Sequence, residues 1–484
     1  MHDLIIRNGR VVDWRNRINS VCDIAVEQGK IAEVGRVSGP ARREVNAAGL
    51  IVVPGIIDTH MHASSWLGGP MGCRMLALAG VTTALEMAGP VESVKRNLKE
   101  CGCGIALGCL QWLRPGINLP TNDPTDEDIE RAAADALAKG AFGVKLLGGH
   151  YPLTPQASAR VIKRCAERGL YIAVHAGTTT QGSDIRGMRQ IIELADGAPF
   201  HLAHVNAYCR GAVLELKDEL DLAQRLLAAH PEIDSESYLA SINGSFGKCV
   251  DGIPENPIAR NCLKSRGYRV DAQGMRDAIA DGFAHVHAVK DGVTVLVEPQ
   301  EGLSLWEAAG SDVPVSFEVN PALSRFFFAL ARRARTDDFL VDSFSTDGGG
   351  IPRNVIVSHG LSLVKFGALS LEEFVRKSSF AGARLLGLAN KGHFSAGADA
   401  DITVIDYDKG QAVHSWSMGR PVLENGVVVG TGGTLVAGES GRKAAQEAGL
   451  DFYCADIEGL FEYRSHRLEA AAADSGLQAQ RHCA

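Results

Sequence analysis

From about residue 55 the chain repeats one local pattern eight times: a short apolar run, then a longer amphipathic stretch. Runs of four to eight apolar residues between turn signals read as buried strands, and the longer stretches read as helices. The runs are GIIDTH, VTTALEM, GIALGCL, AFGVKLL, LYIAVHA, PFHLAHV, VPVSFEV and LVDSFST. The helical stretches carry end signals. TDEDIERAAADALAKG has Thr125 as its N-cap and Gly140 as its stop, and PQASARVIKRCAERG ends at Gly169. Eight strands alternating with helices predict an α/β fold built as a (β/α)8 barrel over residues 55–391.

The flanks have a different rhythm. Residues 1–54 read as short strands, LIIRNGRVVD and DIAVEQGKIAEVG, with hairpin signals at Asn8-Gly9 and Gln28-Gly29. The same rhythm returns over 392–440 in DADITVIDYD and RPVLENGVVVG, with a turn at Asn425-Gly426. The two flanks are expected to join as one small β-sandwich. A segment at about 209–312 is too long for a single barrel connection and reads as an insertion. It holds a helix near 213–229 and a hairpin turning at Asp291-Gly292. Residues 441–484 read as a C-terminal tail, helical and then frayed.

Bulk properties exclude several functions. Among the 484 residues 45% are hydrophobic and 22% charged, and the net charge is −8 with no basic patch, which disfavours nucleic-acid binding. No apolar run approaches ~18 residues, so no membrane span is expected. Met1 opens almost at once onto strand-like LIIRNGRVV rather than a leader. The 11 cysteines are odd in number and scattered, as expected of reduced thiols in the cytoplasm. Cys101, Cys103 and Cys109 border or enter the run GIALGCL, where cysteine serves as a small hydrophobe rather than a metal ligand.

Ligand-type residues recur at the strand ends. His60 and His62 close the first, Lys145 sits on the fourth, His175 and His204 end the fifth and sixth, and Asp347 follows the eighth. Residues two apart on a strand share a face, so His60 and His62 can converge on one ion. Barrel sites lie at the C-terminal strand ends, which brings all six residues to one bowl. Imidazole and carboxylate suit zinc and similar ions. A buried lysine can be held neutral. Its amine can then add carbon dioxide to give a carbamate able to bridge two metals.

The segments PGIIDTHMH, GVKLLGGHY, IAVHAG, HLAHVN and STDGGG resemble the metal motifs of the amidohydrolase superfamily, in its two-metal hydantoinase, dihydropyrimidinase and dihydroorotase-like subgroup. The likeness covers about residues 1–430, apart from the insertion. It implies that His60, His62 and Asp347 bind one ion and His175 and His204 a second, with carbamylated Lys145 and a hydroxide bridging them. Zinc is the default, and manganese, cobalt, nickel or iron are accepted by the same ligands. The resemblance further implies that the hydroxide attacks an amide carbonyl and that Asp347 carries the proton to the leaving nitrogen. The substrate would be a small cyclic amide or imide, and the assembly a homodimer or homotetramer.

One departure concerns the oxyanion donor. Cyclic-amidase members often place a tyrosine five residues after the lysine. Here that position is His150, with Tyr151 beside it, and either side chain can serve. Arg210 and Asn320 are candidate substrate contacts, Arg210 for a carboxylate and Asn320 for an amide. Arg353 is a further carboxylate candidate. Gln181, Ser183 and Asp184 either touch substrate or cap the next helix, and Glu86 either reaches the pocket or supports it. His201 is expected to pack in the core. Two rival activities remain. An acyclic N-acyl-amino-acid hydrolase of the D-aminoacylase kind uses the same chemistry. A mononuclear deaminase would need a glutamate soon after His175, where Ala-Gly-Thr-Thr stands.

Overall fold

The computed structural model describes residues 1–177, 183–334, 336, 338–457 and 460. Eight parallel strands form the barrel wall: Ile56–His62, Val81–Glu86, Ala106–Trp112, Gly143–Leu147, Ile172–His175, His201–Leu202, Asp234–Tyr238 and Ser343–Ser345. They are barrel strands 1 to 8 below. The ring closes where Gly348–Gly349, just past strand 8, pairs in parallel with Met61 and His62. Thr59 Oγ1 and Ser343 Oγ add a hydrogen bond of 2.9 Å across the same seam.

Each strand is followed by a helix, and their ends obey local chemistry. Helix Asp126–Ala138 starts at Thr125, whose hydroxyl accepts from the Asp128 amide while the Asp128 carboxylate accepts from the Thr125 amide. Losing such a cap costs about 1 kcal/mol. Gly140, at φ +95, lets the chain leave the helix and turn toward strand 4.

Barrel strand 7 departs from expectation. It is Asp234–Tyr238, with the sequence DSESY, and every residue of it is buried. The expected seventh run, VPVSFEV, instead gives strand Pro314–Phe317. That strand pairs antiparallel with Asn243–Phe246 and with Ala284–Val286, outside the barrel. The long connection therefore follows strand 7, running from Leu239 to the helix Ala322–Leu330, and helix Leu216–Ala229 is the ordinary helix of strand 6. The connection has its own core, including Leu263, Met275, Trp306 and Phe317. Its hairpin turns at Asp291-Gly292 as expected, with both residues at positive φ.

The N- and C-terminal segments share a nine-stranded sheet, in which Ile51–Pro54 pairs antiparallel with Ile402–Asp406. Ile24, Val52, Val404 and Trp416 meet in its core. Gln28-Gly29 and Asn425-Gly426 are turns, whereas Asn8-Gly9 is a bulge inside the first strand, Leu4–Asp13. Thr434–Ala437 leaves this sheet and pairs in parallel with Ala106–Gly108. Because Ala106 and Leu107 already pair with strand 2 on their other edge, it takes the edge that strand 4 occupies further along, and Asp451–Cys454, a strand where only a helical and then frayed tail was expected, pairs in parallel on its far side. Gln181 and the tail beyond residue 460 lie outside the described residues. Among the described residues no helix is long and apolar enough to cross a membrane.

Candidate active site

Five of the six expected ligand residues meet at the C-terminal mouth of the barrel through contacts between their side chains. Asp347 Oδ1 lies 3.0 Å from His62 Nε2 and 3.3 Å from His60 Nε2. These three ligand atoms lie within 4.8 Å of one another, the one such group of potential metal ligands among the described residues. Beside it, His204 Nε2 faces His175 Nδ1 at 2.9 Å. The His60 and His204 rings stack with centroids 5.2 Å apart, which joins the two groups.

The backbone explains the convergence. Strand 1 ends in His60-Met61-His62, which turns both imidazoles to one face. Asp347 and His204 both sit in the left-handed region, at φ 50 and 37. Each turns its side chain back over the bowl where the strand stops. The glycines after Asp347 permit close approach. A Cβ on Gly349 would lie 2.1 Å from the His62 carbonyl oxygen, and one on Gly350 1.7 Å from that of Gly68. Gly348 to Gly350 therefore serve chain packing against strand 1.

Carboxylates stand behind the histidines. His60 Nδ1 donates to Glu236 at 2.7 Å, and His62 Nδ1 lies 3.3 Å from Glu86. These bonds hold both Nε2 atoms toward Asp347, the orientation that ligation needs. Glu86 thus supports His62. Asp58 accepts from the His60 amide and from the amide and hydroxyl of Thr346, which locks strand 1 to strand 8. Burial pushes its carboxyl up to about 7.

Lys145 is 1% exposed, and its Nζ contacts Met87 Sδ at 3.2 Å. Burial pulls the ammonium down to about 8, against the opposing pull of Glu236, Asp347 and Glu86. The Asp347 carboxyl moves the other way. Burial alone would raise it, but the Arg353 guanidinium and the His60 ring hold it well below the usual carboxylate range. Arg353 Nη2 is 2.8 Å from Asp347 Oδ2, and Nε donates to the Asp347 carbonyl at 2.5 Å. Arg353 is thus engaged with Asp347, where sequence suggested a substrate carboxylate.

The donors fit a divalent cation. His60, His62 and Asp347 form one imidazole–carboxylate set, and the paired His175 and His204 a second. His204 Nδ1 is buried with no hydrogen-bond partner among the described residues, as is Trp112 Nε1. Burial lowers the His204 ring to about 3 and that of His150 to about 4, so both are neutral at pH 7.

The remaining candidates line the rim. The His150 ring lies 5.1 Å from that of His175 and 5.6 Å from Trp66. Tyr151 packs with Trp66 and Trp112 beneath the Arg114 guanidinium, which is 4.0 Å from its ring centre. Ser183 bonds His175 Nε2 at 2.8 Å, and Asp184 caps helix Ile185–Ala195. Asn320 spends its amide within the protein. Its oxygen accepts from Arg210 Nε at 2.9 Å and from the Tyr238 hydroxyl at 3.1 Å, and its nitrogen donates to the Ile242 carbonyl at 2.9 Å. Arg210 also donates to the Tyr238 hydroxyl at 3.3 Å and has no carboxylate partner among the described residues. His201 is buried and meets the Tyr171 hydroxyl at 2.5 Å.

Sequence reasoning missed Glu236, which lies on the misassigned strand 7. Strand 7 is due directly after helix Leu216–Ala229, and the acidic-serine run there holds the one glutamate that faces His60.

A profile of the amidohydrolase family matches residues 51–205 and 258–435. Allantoinases from Escherichia coli (strain K12 / DH10B) and Salmonella paratyphi B (strain ATCC BAA-1250 / SPB7) are 44% and 46% identical over 90 residues, 18% of this chain. The chain matches only 19% of the length of these curated relatives. A crystal structure of D-aminoacylase superposes with a TM-score of 0.62 at 18% identity, covering 90% of this chain and 99% of that one. Dihydropyrimidinase from Brevibacillus agri NCHU1002 gives 0.57 at 17% identity, covering 90% and 98%. These two likenesses are likenesses of fold.

Proposed function

Because the chain belongs to the amidohydrolase family, we propose that it is a metal-dependent hydrolase that cleaves a C–N amide bond in a small cyclic amide or imide. One observation carries the reading: His60, His62 and Asp347 aim three ligand atoms at one point, with His175 and His204 paired beside it. His60, His62 and Asp347 would hold one ion and His175 and His204 the other, with a carbamate on Lys145 between them. Two divalent ions, zinc before manganese, cobalt, nickel or iron, would supply an acidified water and a polarised carbonyl.

The chain's own groups do the rest. Burial favours the free amine of Lys145 that carbamylation requires. Asp347 would carry the proton to the leaving nitrogen, its Oδ1 facing the His60 and His62 rings and its Oδ2 oriented by Arg353. The neutral His150 ring, or the Tyr151 hydroxyl, would donate to the developing oxyanion. The tryptophans and Tyr151 at the rim keep water from the bowl. The free cysteines fit a reducing cytoplasm, where the chain would act as a homodimer or homotetramer.

Arg210 favours a second reading, an N-acyl-amino-acid amidohydrolase. It is a cation at the rim, oriented by Asn320 and Tyr238 and free of any carboxylate among the described residues. Such a group is preorganised for a substrate carboxylate.

Metal content per chain, after purification in bicarbonate without chelator, tests the core reading. Close to two ions supports it, and none after reconstitution with zinc or manganese overturns it. Hydantoins, dihydropyrimidines and N-acyl amino acids then form the substrate panel. Arg210→Met should cut kcat/KM about 100-fold for carboxylate-bearing substrates, the loss of ~3 kcal/mol expected of a charge-assisted pair. Uncharged rings should be spared.

A further inference from the structure

We propose that Glu236 is a positioning residue that ties the two metal-binding halves of the site together, so that both halves lose affinity when it is altered. The proposal rests on the metal-dependent reading above. Glu236 is fully buried on barrel strand 7 and reaches three other strands. Oε1 accepts from His60 Nδ1 at 2.7 Å and from the backbone amide of His204 at 2.6 Å, and Oε2 accepts from the Ser345 hydroxyl. The first bond fixes the orientation of the His60 ring, with Nε2 toward Asp347. The second anchors His204 at the residue whose left-handed backbone turns its ring onto His175. One carboxylate oxygen therefore serves a ligand of each half.

Glu86 provides the contrast. It also stands behind a histidine, His62, but its other partners are the amides of Ala63, Ala88 and Gly89. None of these belongs to the His175–His204 half. Its three amide donors disperse its charge, and its bond to the imidazole is longer. Two buried glutamates with the same apparent task should thus differ in reach.

The experiment is a zinc titration of chelator-stripped protein in bicarbonate buffer, with cobalt absorption as a second probe of each site. Wild type, Glu86→Gln and Glu236→Gln are compared. Glu236→Gln should weaken both sites tenfold or more, the usual effect of removing a partner behind a ligand. Glu86→Gln should weaken one. The melting temperature of the metal-free chain serves as the folding control, because a purely structural glutamate would lower it without a two-site loss of affinity. If Glu236→Gln fails to fold, Glu236→Asp takes its place, since it keeps the carboxylate but draws it back from His60 and the His204 amide. A loss at both sites supports the proposal. A loss at one site, or at none, overturns it. A wild-type chain that binds fewer than two ions overturns the metal reading itself, and this proposal with it.

Discussion

Replacing Arg353 with methionine tests how much of the site's stability lies in a single buried ion pair. Arg353 is 3% exposed and the Asp347 side chain 15% exposed. The guanidinium makes the 2.8 Å ion pair, donates to the Asp347 and Ile242 carbonyls, and lies 5.2 Å from the Tyr238 ring centre. Methionine keeps much of the volume but leaves a buried carboxylate and two carbonyls without their donor. Removing one partner of a buried pair costs about 3–5 kcal/mol. The pH dependence follows from the same pair. The Asp347 carboxyl is held well below its unfolded value of about 3.9, so its contribution is complete above that pH and fades as pH falls through the folded value. The measurement is urea unfolding of chelator-stripped protein at pH 7 and near pH 3, followed by two probes to check cooperativity. The variant should lose about 3–5 kcal/mol at pH 7 and less in acid. A loss below about 1 kcal/mol at pH 7, or one that grows in acid, refutes the reasoning.

Three further substitutions probe separate parts of the molecule. Lys145→Ala should abolish two-metal binding, with short-chain carboxylic acids partly restoring it by elemental analysis; retention of both ions and full activity would remove the carbamate. Asp347→Asn should leave the circular-dichroism spectrum unchanged while removing nearly all turnover, and a near-normal rate would take Asp347 out of the mechanism. Lys377 is fully buried with its ammonium on the carbonyls of Ala329 and Val341, and burial pulls it down to about 7. The unfolded lysine binds its proton up to about pH 10.4, so this group should make stability rise between about pH 7 and 10. Lys377→Met should remove that rise, and an unchanged slope would show that Lys377 keeps its ordinary pKa.

The sequence exposed the barrel because seven of its eight strands advertise burial through apolar side chains. It brought out the candidate ligand residues because five of the six lie at or just past the end of such a run, and Lys145 lies inside one. Strand 7 stayed hidden for the opposite reason. Ser235 and Glu236 are as buried as any valine, but their burial is offset by specific bonds, to Asp342 and to His60, His204 and Ser345. Hydrophobic pattern cannot register a buried position whose polar groups are satisfied across the fold. The partners of Arg353 and Asn320 stayed hidden for a related reason. Their residue types announce charge and amide chemistry, but only the fold reveals whether the partner is Asp347 or Arg210 rather than a substrate.

The strand Thr434–Ala437 pairs with the N-terminal part of barrel strand 3, although it comes from the far end of the chain. During synthesis, strand 3 emerges long before the segment that pairs with its lower edge. At about 5–20 residues per second, the lower edge of strand 3 stays bare for tens of seconds on the ribosome. An unpaired edge of that kind invites pairing with other chains. In this design that edge is covered only once Thr434–Ala437 has emerged and paired.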